Sequence, residues 1–328
     1  MKILFIGAHN DSFHYINDYM SDLLLHGLRS LHGDDVIDYP GSWHIYKNQN
    51  EKKETYKDKL WGKGFTTSDL LEDYNVIDRS DIKNKIKKKY FDIIIYSSIR
   101  RNDTFFEDVI NSQNKFFFID GEDDDFLSKK YYEKGIYFKR ELKIKKKAIF
   151  PISFAIPEEK IIKNIQQKPS DLLSPLIPGK LDTYIYESEN KYYEMYQNSV
   201  FALTYKKTGW DCLRHYEILM NGCIPLFLDL EKCPTQTLVN FPKERLINIK
   251  KEYEKILKYY NPFKIFKKKF LNFNNMKNFF TYKFYNKNVS NHLNNDPKIY
   301  DLKENLLTFT KSNLTTKSLA KYVLNKLN

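Results

Sequence analysis

Short apolar runs set between longer polar stretches recur along this chain. Ile3-Leu4-Phe5-Ile6, inside Lys2–Gly7, shows no polar alternation, which predicts a strand buried on both faces. A helix is expected from about Phe13 to Ser30, and Asp35–Tyr39 reads as a second strand, completing a βαβ start. Phe91–Ser97 and Lys115–Asp120 repeat the buried-strand pattern, and Tyr137–Glu141 and Ala148–Ile152 are shorter candidates. Pro40–Ser80 is polar and irregular, with Trp43 and Trp61, and predicts an insertion of loops and short helices. Strands alternating with helices predict an α/β fold with a doubly wound parallel sheet. Pro169, Pro175 and Pro178, with Ser and Gly between them, mark Ile165–Asp182 as a linker. The expected organisation is a first Rossmann-like domain over residues 1–168, a second over 181–290 and a helical tail over 291–328. The tail, mainly Leu314–Leu327, is placed to cross back onto the first domain.

The densest pattern is Val200–Pro225. Val200–Tyr205 reads as a strand, Lys206–Asp211 as a polar loop, and Cys212–Met220 as a helix stopped by Asn221-Gly222. Ile224–Leu228 starts the next strand, with Pro225 near its beginning, where a missing donor does least harm. In open α/β sheets, ligands bind at the carboxyl end of such a first strand. Arg214 and Glu217 are three apart and share one helix face. A guanidinium can clamp a phosphate at two points, and a carboxylate one turn away can accept from two ribose hydroxyls. Lys206, Lys207 and Thr208 add anion affinity at the loop, and Tyr205 or Trp210 can stack on a base or sugar. The plainer alternative is an intrahelical ion pair between Arg214 and Glu217. Arg140 is one of seven arginines in a chain whose 54 basic residues are otherwise lysine. Planar, bidentate geometry explains that choice, either for phosphate across a cleft or for pairing with Glu141 or another acidic neighbour.

The run R-H-Y-E-I-L-M-N-G-C-I-P-L-F, followed by Pro242 in N-F-P-K, resembles the donor-binding segment of exostosin-like glycosyltransferases. It is similar, more broadly, to the second domain of GT-B glycosyltransferases. The match covers Tyr193 to Pro242, and G-C-I-P is its most specific part. The resemblance implies two Rossmann-like lobes facing a cleft. It further implies a nucleotide-sugar donor, UDP-linked by expectation, with Arg214 on the diphosphate and Glu217 on the ribose. A glycan or other hydroxyl compound would be the acceptor, and no cofactor is required. An inverting transfer needs a base on the acceptor side. His9, Asp11 and His14, in the loop after the first strand, have the chemistry; alternatively Asn10-Asp11-Ser12 caps the next helix. Asp120, at a strand end, is a further candidate for base or acceptor ligand. Asp123-x-Asp125 resembles the D-x-D divalent-metal site of single-domain, GT-A type enzymes, or is a solvated acidic turn. The donor-like features lie downstream in a separate βαβ unit, which favours the two-lobed arrangement without a metal.

Charge widens the set of partners. The net charge is +12 and the pI about 9.2. Between Lys243 and Lys287 there are 13 basic residues against three acidic ones, interleaved with Phe and Tyr. Lysine-rich helix faces account for this, as does a polyanion-binding patch. The patch motivates two alternatives: a phage or viral enzyme glycosylating hydroxymethylated DNA bases, gripping the duplex through Lys267, Lys268 and Lys269, and a non-catalytic nucleic-acid-binding protein on an enzyme scaffold. Cys212, Cys223 and Cys233 are odd in number and lack metal-type spacing, which predicts reduced thiols. No apolar run reaches the roughly twenty residues of a membrane helix. The expected location is therefore the cytoplasm of a bacterium or a virus-infected cell.

Overall fold

The computed structural model describes residues 1–8, 17–165, 169–259 and 296–326. The uninterrupted apolar runs form parallel strands buried on both faces. The first sheet contains β1 (Ile3–Ile6), β2 (Val36–Tyr39), β3 (Ile93–Tyr96), β4 (Phe116–Asp120), β5 (Ile136–Lys139) and β6 (Ile149–Pro151), in the order β2-β1-β3-β4-β5-β6. Alternate residues face opposite sides. Ile3, Phe5, Ile95, Phe117 and Phe138 point to one core, and Leu4, Ile6, Ile94, Phe118 and Tyr137 to another. α1 (Tyr19–His32) supplies Leu23, Leu24, Leu25 and Leu28 to the first face. Its start is fixed by Asp18, whose side chain accepts from the Ser21 amide at 2.9 Å. α3 (Ile82–Lys87), α4 (Phe106–Asn111) and α5 (Lys129–Tyr132) cover the second face. The expected insertion holds the short helix α2 (Asn50–Tyr56) and several single turns. It is anchored by Asp38, which accepts from the Ser42 amide, the Tyr46 hydroxyl and Arg79.

The second sheet has β7 (Asp171–Leu173), β8 (Ser199–Thr204) and β9 (Ile224–Phe227), all parallel, in that order. β7 lies inside the proline-bearing stretch that reads as a linker. Three residues between prolines carry no periodicity, and only pairing with β8 makes them a strand. α6 (Glu189–Gln197) precedes β8, and α7 (Leu213–Met220) joins β8 to β9. α8 (Lys243–Tyr259) follows.

The tail forms α9 (Pro297–Asn313) and α10 (Thr316–Asn325), so it is helical over more than the expected Leu314–Leu327. α9 packs on α7, and α10 returns to α1. The return needs Gly27: a Cβ there would stand 2.0 Å from the Thr316 carbonyl oxygen. One apolar cluster consequently runs from Leu24 through Ile156 to Leu219 and Val323 and joins both sheets. No described helix is long and apolar enough to cross a membrane.

Candidate functional site

A cavity of about 640 Å3 opens where the carboxyl ends of the two sheets meet. From the first-sheet side it is lined by Tyr19, Trp61, Phe65, Asp58, Asp123 and Phe154. From the second-sheet side come Tyr184, Tyr186, Tyr192, the Lys207-Thr208-Gly209 loop, Arg214 and Glu217.

The loop after β8 is pinned from beneath. His215 is fully buried, and burial lowers its pKa to about 3, so the imidazole is neutral. Its Nε2 lies 2.9 Å from the Trp210 carbonyl, which can only accept, so Nε2 carries the hydrogen. Nδ1 then accepts from the Thr204 hydroxyl at 2.8 Å. The ring thereby ties the end of β8 to the far side of its loop. Gly209 is required here by close approach, since a Cβ would meet Glu141 Oε1 at 2.7 Å.

Arg214 projects from the first turn of α7 into the cavity. Its Nη2 donates to the Tyr184 hydroxyl at 2.9 Å, and its Cζ stands 5.6 Å from that ring's centre. Its Nη1 is buried with no hydrogen-bond partner among the described residues. Glu217, on the same face, is not ion-paired with Arg214. Oε1 accepts from Thr66 Oγ1 and Oε2 from the Tyr192 hydroxyl, each at 2.6 Å. Burial raises the Glu217 pKa, against the pull of these hydroxyls and of Arg214. Thr66 reaches Glu217 from a strained segment of the insertion. Gly62, Lys63, Gly64 and Thr66 all have positive φ, and Thr66, at 71°, is β-branched. Such a backbone costs on the order of 1–3 kcal/mol and persists only where surrounding contacts impose it.

Other expected residues stand elsewhere. Arg140 is buried behind the cavity, not on it. It donates to the Gly121 carbonyl at 2.8 Å, to the Asp211 carbonyl, and to Asp123 and Glu141. It is a joint between the two sheets, because Asp211 belongs to the β8–α7 loop and the other groups follow β4 and β5. Asp211 completes the joint: its amide donates to Glu141 at 2.9 Å, and its carboxyl accepts from the Phe154 amide and the Tyr216 hydroxyl. Burial pushes this carboxyl up to about 7 despite Arg140. Asp120 is also off the cavity. It is fully buried, paired with Lys139 at 3.0 Å, and accepts from the Tyr137 hydroxyl at 2.6 Å, so it cannot reach an acceptor. Trp210 packs in the core against Phe227 rather than facing a ligand, and Lys206 lies over its ring. Tyr205 donates to the Pro178 carbonyl at 2.6 Å and does not line the cavity. Of the expected donor-side groups, the fold brings together Lys207, Thr208, Arg214 and Glu217. Asp11, His14 and His9 lie outside the described residues, as do Lys267, Lys268 and Lys269. Within the basic segment, Lys243 donates to the carbonyls of Pro234 and Thr237, and Lys250 pairs with Glu231.

Asp123 and Asp125 turn to different cations, Arg140 and Lys143. Among the described residues, the side chains close enough to share an ion are His26, Glu158 and Glu159. His26 there contacts Thr316 at 2.9 Å and Glu159 at 3.0 Å, at the crossing of α1 and α10.

The aromatic wall escaped sequence reading. Tyr184 and Tyr186 lie just past the expected linker Ile165–Asp182, at the start of the expected second domain, and Trp61 lies in the irregular insertion. The W-G-K-G run, with two glycines beside an aromatic, was the one local sign of a tight turn there. Compared with known proteins, the sequence matches no family model and no curated protein.

Proposed function

We propose that this protein is a glycosyltransferase that takes a nucleotide-sugar donor in the cavity between its two sheets, the sheets serving as the lobes of a GT-B-like arrangement. The observation that carries the reading is the unpartnered Nη1 of Arg214, beside Lys207 and the loop at the carboxyl end of β8. A buried charged donor left without an acceptor is costly, and a diphosphate oxygen would satisfy it. Lys207 and the Thr208-Gly209 backbone would share the charge of the leaving diphosphate, so no metal ion is needed for that task. Glu217 would turn to the ribose hydroxyls. Tyr184, Tyr186 and Trp61 offer flat apolar faces for a base and a sugar. The acceptor would enter from the first-sheet side, where Asp58 and Asp123 are the carboxylates on the cavity among the described residues. A glycan hydroxyl is the acceptor proposed.

The test is a thermal-shift screen of UDP-, GDP- and CDP-sugars, followed by calorimetry on the best. A ligand that binds only the native state raises its stability. Saturable binding of one nucleotide class, lost in Arg214→Ala, is expected. If every nucleotide sugar leaves the melting temperature unmoved at millimolar concentration, the reading fails.

A further inference from the structure

The hydroxyl chain behind Glu217 has one more contact than it has hydroxyl protons. Tyr193 Oη lies 2.9 Å from Glu189 Oε1 and 2.6 Å from Thr66 Oγ1, and Thr66 Oγ1 lies 2.6 Å from Glu217 Oε1. Three oxygen–oxygen contacts this short need three hydrogens between them. Tyr193 and Thr66 supply one each. The Thr66 amide is already given to Glu189 Oε1 at 2.6 Å, and the Tyr192 hydroxyl to Glu217 Oε2. The third hydrogen must sit on a carboxyl group. Glu189 is partly exposed, and both of its oxygens already face donors: Oε2 the Lys160 ammonium at 2.6 Å and Oε1 the Thr66 amide. Glu217 is buried and forms no ion pair among the described residues, and burial favours its neutral form. The groups facing it are Tyr19 of α1, Tyr192, Tyr193 and Tyr196 of α6, Thr66 of the insertion and Arg214 of its own helix. Arg214 alone among these opposes protonation by charge.

We infer that Glu217 is a neutral acid in the free protein and that binding of a ribose diol expels its proton through Thr66, Tyr193 and Glu189. The inference rests on the nucleotide reading of the cavity. The transfer balances: Glu217 gives its proton to Thr66 Oγ1, Thr66 gives its own to Tyr193, and Tyr193 gives its own to Glu189. Glu189 releases one to water beside Lys160, and Glu217 is left as a carboxylate able to accept two ligand hydroxyls. Ligand binding at this site is then proton-linked.

Infrared spectra of the full chain with 13C-labelled glutamate, at pH 7, separate a protonated glutamate from Asp211 without any substitution. A protonated glutamate carbonyl band is expected in the ligand-free protein and absent from Glu217→Gln. UDP, which carries both diphosphate and ribose, should convert it to carboxylate. Calorimetry in two buffers of different ionisation enthalpy should then show close to one proton released per UDP bound, and none for Glu217→Gln. Absence of the band in the free protein overturns the inference, whatever UDP does. Its persistence in the UDP complex, with no proton released, overturns it equally. If UDP and the screened nucleotide sugars fail to bind while the band is present, the nucleotide reading is what has failed.

Discussion

Arg140 and Arg214 are both guanidiniums at the boundary between the two sheets, yet their surroundings are opposite. Every side of Arg140 is filled: Gly121, Asp123, Glu141 and Asp211 accept from it, and Phe154 covers its face with the ring centre 4.7 Å from Cζ. Arg214 has one nitrogen on Tyr184 and another with no partner among the described residues. A saturated buried arginine fixes the position of the backbone around it. An unsaturated one beside a cavity is poised for an anion. The same residue type, chosen in both places over the prevailing lysine, thus holds position in one region and, under the proposed function, binds the donor in the other.

The comparison can be broken at either end. The largest effect is expected at the joint. Arg140→Met leaves Asp123, Glu141 and Asp211 facing an apolar side chain, and loss of one partner from a buried charge cluster destabilises by about 3–5 kcal/mol. Urea denaturation measures it, and a change under about 1 kcal/mol would show that the joint is not a structural tie. At the cavity, Arg214→Ala should weaken nucleotide-sugar binding by about 2–3 kcal/mol while leaving stability within about 1 kcal/mol of the parent. Equal loss of stability in both variants would erase the distinction. Arg214→Lys tests geometry, because a point charge lacks the planar fork.

A smaller effect sharpens the joint. The Asp211 carboxyl is raised to about 7, above its ordinary value near 4. A raised carboxyl contributes its full stabilisation below the unfolded pKa and loses it as pH rises through the folded one. The stability of the parent relative to Asp211→Asn, which does not titrate, should therefore fall between about pH 4 and pH 7. A flat difference across that window would place Asp211 outside the titrating joint. The smallest effect concerns metal: with cations on the diphosphate, EDTA should leave sugar transfer essentially unchanged. Complete loss restored by manganese would return the chemistry to Asp123 and Asp125.

Much of this division was beyond the reach of pattern. The sequence by itself determined the strands, because Ile3–Ile6, Ile93–Tyr96 and Phe116–Asp120 are apolar without alternation and have no stable place except between two covered faces. It determined the β8–α7–β9 unit and the shared face of Arg214 and Glu217, which follow from local periodicity alone. Partnership was decided by tertiary structure. Arg140 and Arg214 look alike in sequence because the acceptors that saturate one, Gly121, Asp123 and Asp211, come from separate loops. Asp120 reads as an exposed strand end until Lys139 and Tyr137 close over it from β5. Trp210 reads as a loop aromatic until β9 brings Phe227 against it. Tyr184, Trp61 and Thr66 carry no periodic signal, since loops are shaped by what they pack on rather than by their own repeat. Local sequence sets which backbone forms. Which polar group is satisfied, and which is left for a ligand, depends on residues far apart in the chain, and only the folded arrangement brings them together.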